Sequence, residues 1–167
     1  MRNSEYFKNK KVTIVGLARS GVACANLLRR IGALVSVTDI KDDAHTRQAR
    51  AELCAGEIRV ELGAHSREWI KQADLVVISP GVPLDSICVK WAGEFNRPLV
   101  SEIEVASILC PASIIAVTGS NGKTTVTTLI GKLLAAAGKK VFVCGNIGNP
   151  FCGEVEKLQK EDFVVRF

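Results

Sequence analysis

Short β-branched runs alternate with stretches of helical periodicity along the whole chain. Residues 12–15 (Val-Thr-Ile-Val) form such a run, closed by Gly16, and read as a buried strand. Residues 22–31 then carry apolar side chains at helical spacing; Ser20 stands where a cap belongs and Gly32 stops the helix. Residues 34–38 are a second strand, ending at Asp39. The pattern continues with a helix over 44–54, a strand over 58–62, a buried strand over 74–78 closed by Ser79-Pro80-Gly81, a helix over 84–92 and a short strand at 98–100. Ser101-Glu102-Ile103-Glu104 opens a helix to about Leu109. A second series follows: an apolar run over 114–117, a helix over 126–137 ended by Gly138, a strand over 140–144, a helix over 151–158, and a further strand beginning at 163. Strand and helix alternating in this way predict an α/β fold with parallel sheets. The first series is a Rossmann-like unit over 1–101, and the second, over 102–167, is the truncated start of a P-loop-type α/β unit.

Composition narrows the class. The chain has 167 residues, 47% of them hydrophobic, which is enough to bury a substantial core and argues against disorder. Aromatic residues make up only 5%, and the net charge of +5 is dispersed, so a nucleic-acid footprint is not expected. Six cysteines contain no C-x-x-C pair and only two histidines accompany them, which points to free thiols in a reducing cytoplasm and to no metal cluster. The polar first eleven residues, followed by an apolar run broken at Arg19, resemble neither a signal peptide nor a membrane span.

Two turns carry candidate chemistry. In residues 117–125 (V-T-G-S-N-G-K-T-T), a strand leads into a glycine loop and a helix leaves it. Loop N–H groups and a helix N-terminus cradle phosphates, a lysine adds a point charge, and a threonine hydroxyl binds Mg2+. Gly119, Ser120, Asn121, Gly122, Lys123, Thr124 and Thr125 are therefore the candidate triphosphate site, with Thr124 the metal-binding hydroxyl. A full P-loop has another glycine where this chain has Val117, so the loop is a shortened form. The first turn places Gly16 and Gly21 as a dinucleotide fingerprint does, but its middle glycine is replaced by Ala18. That weakens a nicotinamide-oxidoreductase reading, and tight strand–helix packing is the alternative use of the two glycines. Asp39 is placed to bind ribose hydroxyls, or to serve as a cap or solvated turn residue. Asn146, in the Gly-Asn-rich loop after the strand over 140–144, offers both donor and acceptor.

The motifs at 16–21, Asp39, 79–82, 101–104, 117–125 and 145–148 resemble, in order, those of the Mur ligases of peptidoglycan synthesis. The S-P-G-V turn and G-N-I-G loop resemble the D-glutamate-adding branch of that family. The resemblance implies that Arg19, Ser20, Asp39, Gly81 and Asn146 meet a UDP-sugar substrate, UDP-N-acetylmuramoyl-L-alanine. It implies ATP and Mg2+ at residues 119–125, with Lys123 neutralising the β- and γ-phosphates and Thr124 holding the metal. The substrate carboxylate would become an acyl phosphate and D-glutamate would attack it, in the cytoplasm and without nucleic acid or membrane insertion. In the family the strand beginning at Phe163 runs into a metal-binding glutamate; here Arg166 and Phe167 follow. This implies an N-terminal portion without turnover of its own. A non-catalytic UDP-ligand or partner-binding module is the remaining alternative.

Overall fold

The computed structural model describes residues 3–54, 57–144 and 149–166. The first sheet contains β1 (Lys11–Val15), β2 (Leu34–Asp39), β3 (Arg59–Leu62), β4 (Leu75–Ile78) and β5 (Leu99–Ser101). Their order is β3-β2-β1-β4-β5 and every pairing is parallel. Strands are added to one side of β1 and then to the other. The reversal lies between β1 and β4, and open α/β sheets bind ligands in the crevice at that point.

Strand periodicity decides the two covered faces. On one face, Val12 and Ile14 of β1, Val35 and Val37 of β2, and Leu75 and Val77 of β4 join one buried cluster. On the other, Val15 and Val76 join Ile70, Cys88 and Ala92. The first face is covered by α1 (Arg19–Arg30), whose Val22, Ala25 and Leu28 are buried, and by α5 (Glu102–Leu109). The second is covered by α3 (Arg67–Gln72) and α4 (Ile87–Glu94). The helix α2 (Ala44–Ala51) starts with a reciprocal capping box between Asp43 and Thr46, and α5 with one between Ser101 and Glu104.

The second sheet comprises β6 (Ser113–Ala116), β7 (Val141–Cys144) and β8 (Phe163–Arg166), all parallel in the order β6-β8-β7. The strand expected from residue 163 onward therefore enters between the two earlier ones. The helix α6 (Lys123–Ala136) packs on β7 closely enough that a Cβ on Gly131 would lie 2.9 Å from Val143 Cγ2. Its other side leaves Val126, Leu129 and Leu133 exposed. The short α7 (Phe151–Glu154) fills the space between the sheets. Phe151 and Cys152 are wholly buried with α1 and α5 residues, so one hydrophobic cluster runs through both units. Glu102 joins this junction: its carboxylate accepts the Cys152 N–H at 2.7 Å.

The α/β class with parallel sheets is as expected. Four local readings need correction. Ser20 does not cap α1, because the helix begins at Arg19 with Ala18 at the cap position and no side-chain cap bond. The second helix ends at Ala51 rather than residue 54, and the fourth begins at Ile87 rather than residue 84. The helical stretch after Pro150 is one turn of α-helix and then a 3-10 turn, Val155–Lys157. Among the described residues no helix is long and apolar enough to cross a membrane.

Candidate functional site

A cavity of about 790 Å3 opens at the carboxyl ends of the strands, at the reversal point. Gly16 and Leu17 after β1, Arg19 in the first turn of α1, Asp39 at the end of β2, His65 after β3, and Ser79 and Gly81 after β4 all line it. The turn that begins it is built by exclusion. Gly16 has φ +97°, a conformation that favours glycine, and a Cβ there would lie 2.9 Å from Val82 Cγ2. A Cβ on Gly21 would lie 2.1 Å from the Gly16 carbonyl oxygen. The two glycines thus let α1 start directly against the end of β1, which presents the N-terminus of a twelve-residue helix to the cavity. The tight-packing use of these glycines is real, and it leaves the amino end of α1 facing the cavity. Ser79 locks the same turn by donating its hydroxyl to the Gly16 carbonyl at 2.9 Å.

Asp39 ties two loops together. Its carboxylate accepts the Leu17 N–H at 2.7 Å and the Lys41 N–H at 2.9 Å, one on each oxygen. The Lys41 bond is a local turn bond, whereas the Leu17 bond reaches across 22 residues, and each oxygen keeps a further lone pair. Of the UDP-binding candidates, the cavity gathers Arg19, Asp39 and Gly81. Ser20 lies in the first turn of α1 but outside the lining, and Asn146 lies outside the described residues. Lys41, His65 and Ser79 are lining residues that sequence reasoning did not single out. Their common signal is position: each follows the carboxyl end of a strand.

The second candidate site is the loop before α6. Gly122 is its N-cap with φ +77°, again a glycine conformation, and Lys123 is the first helical residue. The Lys123 ammonium folds back and donates to the carbonyls of Gly119 at 2.6 Å and Ser120 at 3.3 Å. The loop is thereby closed into a ring around its own cation. Gly119, Ser120 and Asn121 are exposed, as are Thr124 and Thr125 in the first turn of the helix. An incoming phosphate meets the amino end of a fourteen-residue helix, a lysine and two hydroxyls. The residues from Gly119 to Thr125 are thus brought together, and this loop and the cavity are separate features on different sheets. Among the described residues no cluster of three or more His, Cys, Asp or Glu is placed to hold a metal.

Two parallel-sheet units, each with a glycine turn at the head of a helix, define an α/β protein with two candidate phosphate-binding turns. The MurD-like N-terminal domain of Mur ligases matches residues 10–101, and the Mur ligase middle domain matches residues 117–162. The chain belongs to the Mur ligase family. It is 48% identical over 157 residues to the UDP-N-acetylmuramoylalanine--D-glutamate ligase of Geotalea uraniireducens, covering 94% of this chain and 35% of that protein. The ligase of the same name from Geobacter sp. (strain M21) is 46% identical over 158 residues, 95% of this chain and 35% of the relative. The chain thus spans about a third of the length of these relatives, 35% in each case. Among solved structures, a pseudomurein peptide ligase type C from Methanothermus fervidus superposes with a TM-score of 0.53 at 23% identity, over 95% of this chain and 33% of that one. The UDP-N-acetylmuramate-alanine ligase of Thermotoga maritima gives 0.53 at 22% identity, over 94% and 36%. These structures share the fold.

Proposed function

We propose that this chain supplies the UDP-sugar site and the ATP phosphate loop of a ligase that adds D-glutamate to UDP-N-acetylmuramoyl-L-alanine. The observation that carries the reading is the pairing of two different anion-binding turns in one chain. The cavity at the strand reversal suits a nucleotide diphosphate, with the α1 N-terminus and Arg19 toward the phosphates and Asp39 toward the ribose. The loop from Gly119 to Thr125 suits the triphosphate tail of ATP. The exposed Thr124 and the Lys123 ammonium, held over the loop by the carbonyls of Gly119 and Ser120, fit a Mg2+-bound triphosphate. The name these relatives carry, UDP-N-acetylmuramoylalanine--D-glutamate ligase, supports the choice of substrates.

Mg-ATP would supply the γ-phosphoryl group for the substrate carboxylate, giving an acyl phosphate. D-Glutamate would then attack the acyl carbon through its amine, forming the amide and releasing inorganic phosphate. For that chemistry this chain contributes positioning and charge neutralisation, the two effects on which phosphoryl transfer chiefly depends. Lys123 offsets phosphate charge, Thr124 holds the metal, and the cavity fixes the acceptor's nucleotide handle. We place this work in the cytoplasm and involve neither nucleic acid nor a membrane-inserted segment.

Calorimetry on the 167-residue chain tests the reading. We expect saturable UDP binding at one site, and Mg-ADP binding that Lys123→Met abolishes while UDP binding stays unchanged. A folded sample that takes up no UDP would overturn the proposal.

A further inference from the structure

Two thiols meet where α1 packs against α7. Cys24 and Cys152 are both 0% exposed and belong to the cluster that runs through both units. The two helices are close there: a Cβ on Gly153 would lie 3.8 Å from the Ala23 Cβ. Cys24 and Cys152 adjoin those two positions, and their thiols are in hydrogen-bonding contact. A disulfide needs its two Cβ atoms about 3.8 Å apart, so a helix spacing of this size needs little movement to be bridged. Cys152 is also held in place. Its N–H donates to the Glu102 carboxylate at 2.7 Å, and its thiol donates to the Glu102 carbonyl at 3.5 Å. Cys110, another buried thiol, instead donates to the carbonyl of Ala112 at 3.7 Å.

Burial, and then the neighbouring Cys24 thiol, push Cys152 well above the usual thiol range. The thiolate is the reactive form, so Cys152 is inert while the junction is shut, and Cys24 has no surface for an oxidant to reach. Local opening of α7 removes both protections at once. A small-molecule disulfide then suffices as the oxidant. One protein thiolate attacks a sulfur of that disulfide, which forms a mixed disulfide and releases one small thiol. The second protein thiol attacks the protein sulfur of the mixed disulfide and expels the other small thiol. The chain loses two electrons and two protons, and the oxidant gains both.

We infer that Cys24 and Cys152 form a redox-sensitive latch, whose disulfide bolts α1, the helix at the head of the cavity, to α7, the helix that follows β7. The bond ties the unit that carries the cavity to the unit that carries the glycine loop. It closes a loop of about 130 residues, long enough for a large loss of freedom in the unfolded chain. It does not depend on which nucleotides the two units take.

The test exposes the folded full chain to excess oxidised glutathione at pH 8, blocks the remaining thiols, and maps peptides without reduction. A peptide pair joined through Cys24 and Cys152, lighter by two hydrogens, is expected to form more slowly than the glutathione adduct of half-buried Cys54. The bonded chain should unfold about 10 °C higher in thermal scans and return to the original midpoint with dithiothreitol. Cys152→Ser should lose both the joined peptides and the shift. If that variant does not fold, the wild-type map and its dithiothreitol-reversible shift decide alone. Cys24 and Cys152 left unjoined after Cys54 is fully converted would overturn the inference. So would a bond from either one to Cys54, Cys88, Cys110 or Cys144, or a bond that forms only in urea-unfolded chain.

Discussion

A methyl group added to Gly21 would have to share space with a backbone oxygen 2.1 Å away. That oxygen belongs to Gly16, whose N–H is itself bonded to the Thr38 carbonyl at 2.8 Å, so it cannot yield without disturbing β1 and β2 together. We expect Gly21→Ala to lower unfolding free energy by about 3 kcal/mol in urea titration. Gly81 lines the same cavity with nothing within 4 Å of its added Cβ, and Gly81→Ala should stay within about 0.5 kcal/mol of wild type. The thiols divide in a similar manner. Burial pushes Cys88 up to about 11 and Cys144 up to about 12, whereas Cys54 is only half-buried. Because the thiolate is the reactive form, native alkylation with iodoacetamide at pH 8 should label Cys54 well before Cys24, Cys88, Cys110, Cys144 or Cys152, as read by peptide mass spectrometry. At this scale the sequence revealed the glycines and Asp39, because their spacing reports local chain geometry. It did not reveal the hydroxyl bond of Ser79 or the place of His65. These depend on the Gly16 carbonyl, 63 residues from Ser79, and on Thr38, 27 residues from His65, and no local pattern encodes such pairings.

Among the elements, the strands were the most legible, since runs such as Leu75–Ile78 are apolar throughout and buried on both faces. Helix α3 was not: it has six residues and buries only Ile70, too little for a helical period to register. Helix α1 shows the reverse error. Its apolar spacing was clear, but its start was misjudged because close packing of Gly16 and Gly21, rather than a Ser20 cap, sets where it begins. The junction of α5 and α7 turns on Glu102, whose carboxyl burial pushes above the usual glutamate range, opposed by the Cys152 N–H and thiol bonds and the Arg166 charge. For a carboxyl raised on folding, the native state holds a proton that the unfolded chain has lost. Stability must therefore fall as pH rises from the unfolded value, near 4.5, to the higher folded value, and level off above it. Glu102→Gln keeps an oxygen to accept the Cys152 N–H and removes the titration. We expect it to flatten this part of the stability profile, and to be at least as stable as wild type at pH 7, in thermal scans followed by circular dichroism.

Across the whole molecule, α7 packs against elements of both units, and we expect them to unfold as one body. Phe151 is wholly buried in a cluster that includes Cys24 and Leu28 of α1, Val105 of α5 and Val164 of β8. Phe151→Ala should cost about 3–5 kcal/mol, and because the cavity it leaves touches both units, the loss should shift their unfolding together. Probes in each unit, Trp69 in the first and a label on β7 in the second, should still report coincident transitions in wild type. Separate transitions would show that the shared cluster does not couple them. Only the sheet series and the division of motifs between them were legible in the chain; the shared cluster was not, because it joins residues from Phe7 to Val164 that no short window contains.

The position of β8 bears on how the protein is made. Among the described residues, strands β6 and β7 do not pair with each other; each pairs with β8, which follows both in the chain. The first sheet has all five of its strands once Ser101 has left the ribosome, whereas the second has no ladder at all until Phe163 to Arg166 emerge. During synthesis β6, the phosphate loop, α6 and β7 must wait as an unpaired stretch with an apolar helix face exposed. The nascent chain should therefore pass through a stage with a complete first sheet and an unformed glycine loop, and that stage is where chaperone capture or premature proteolysis should concentrate.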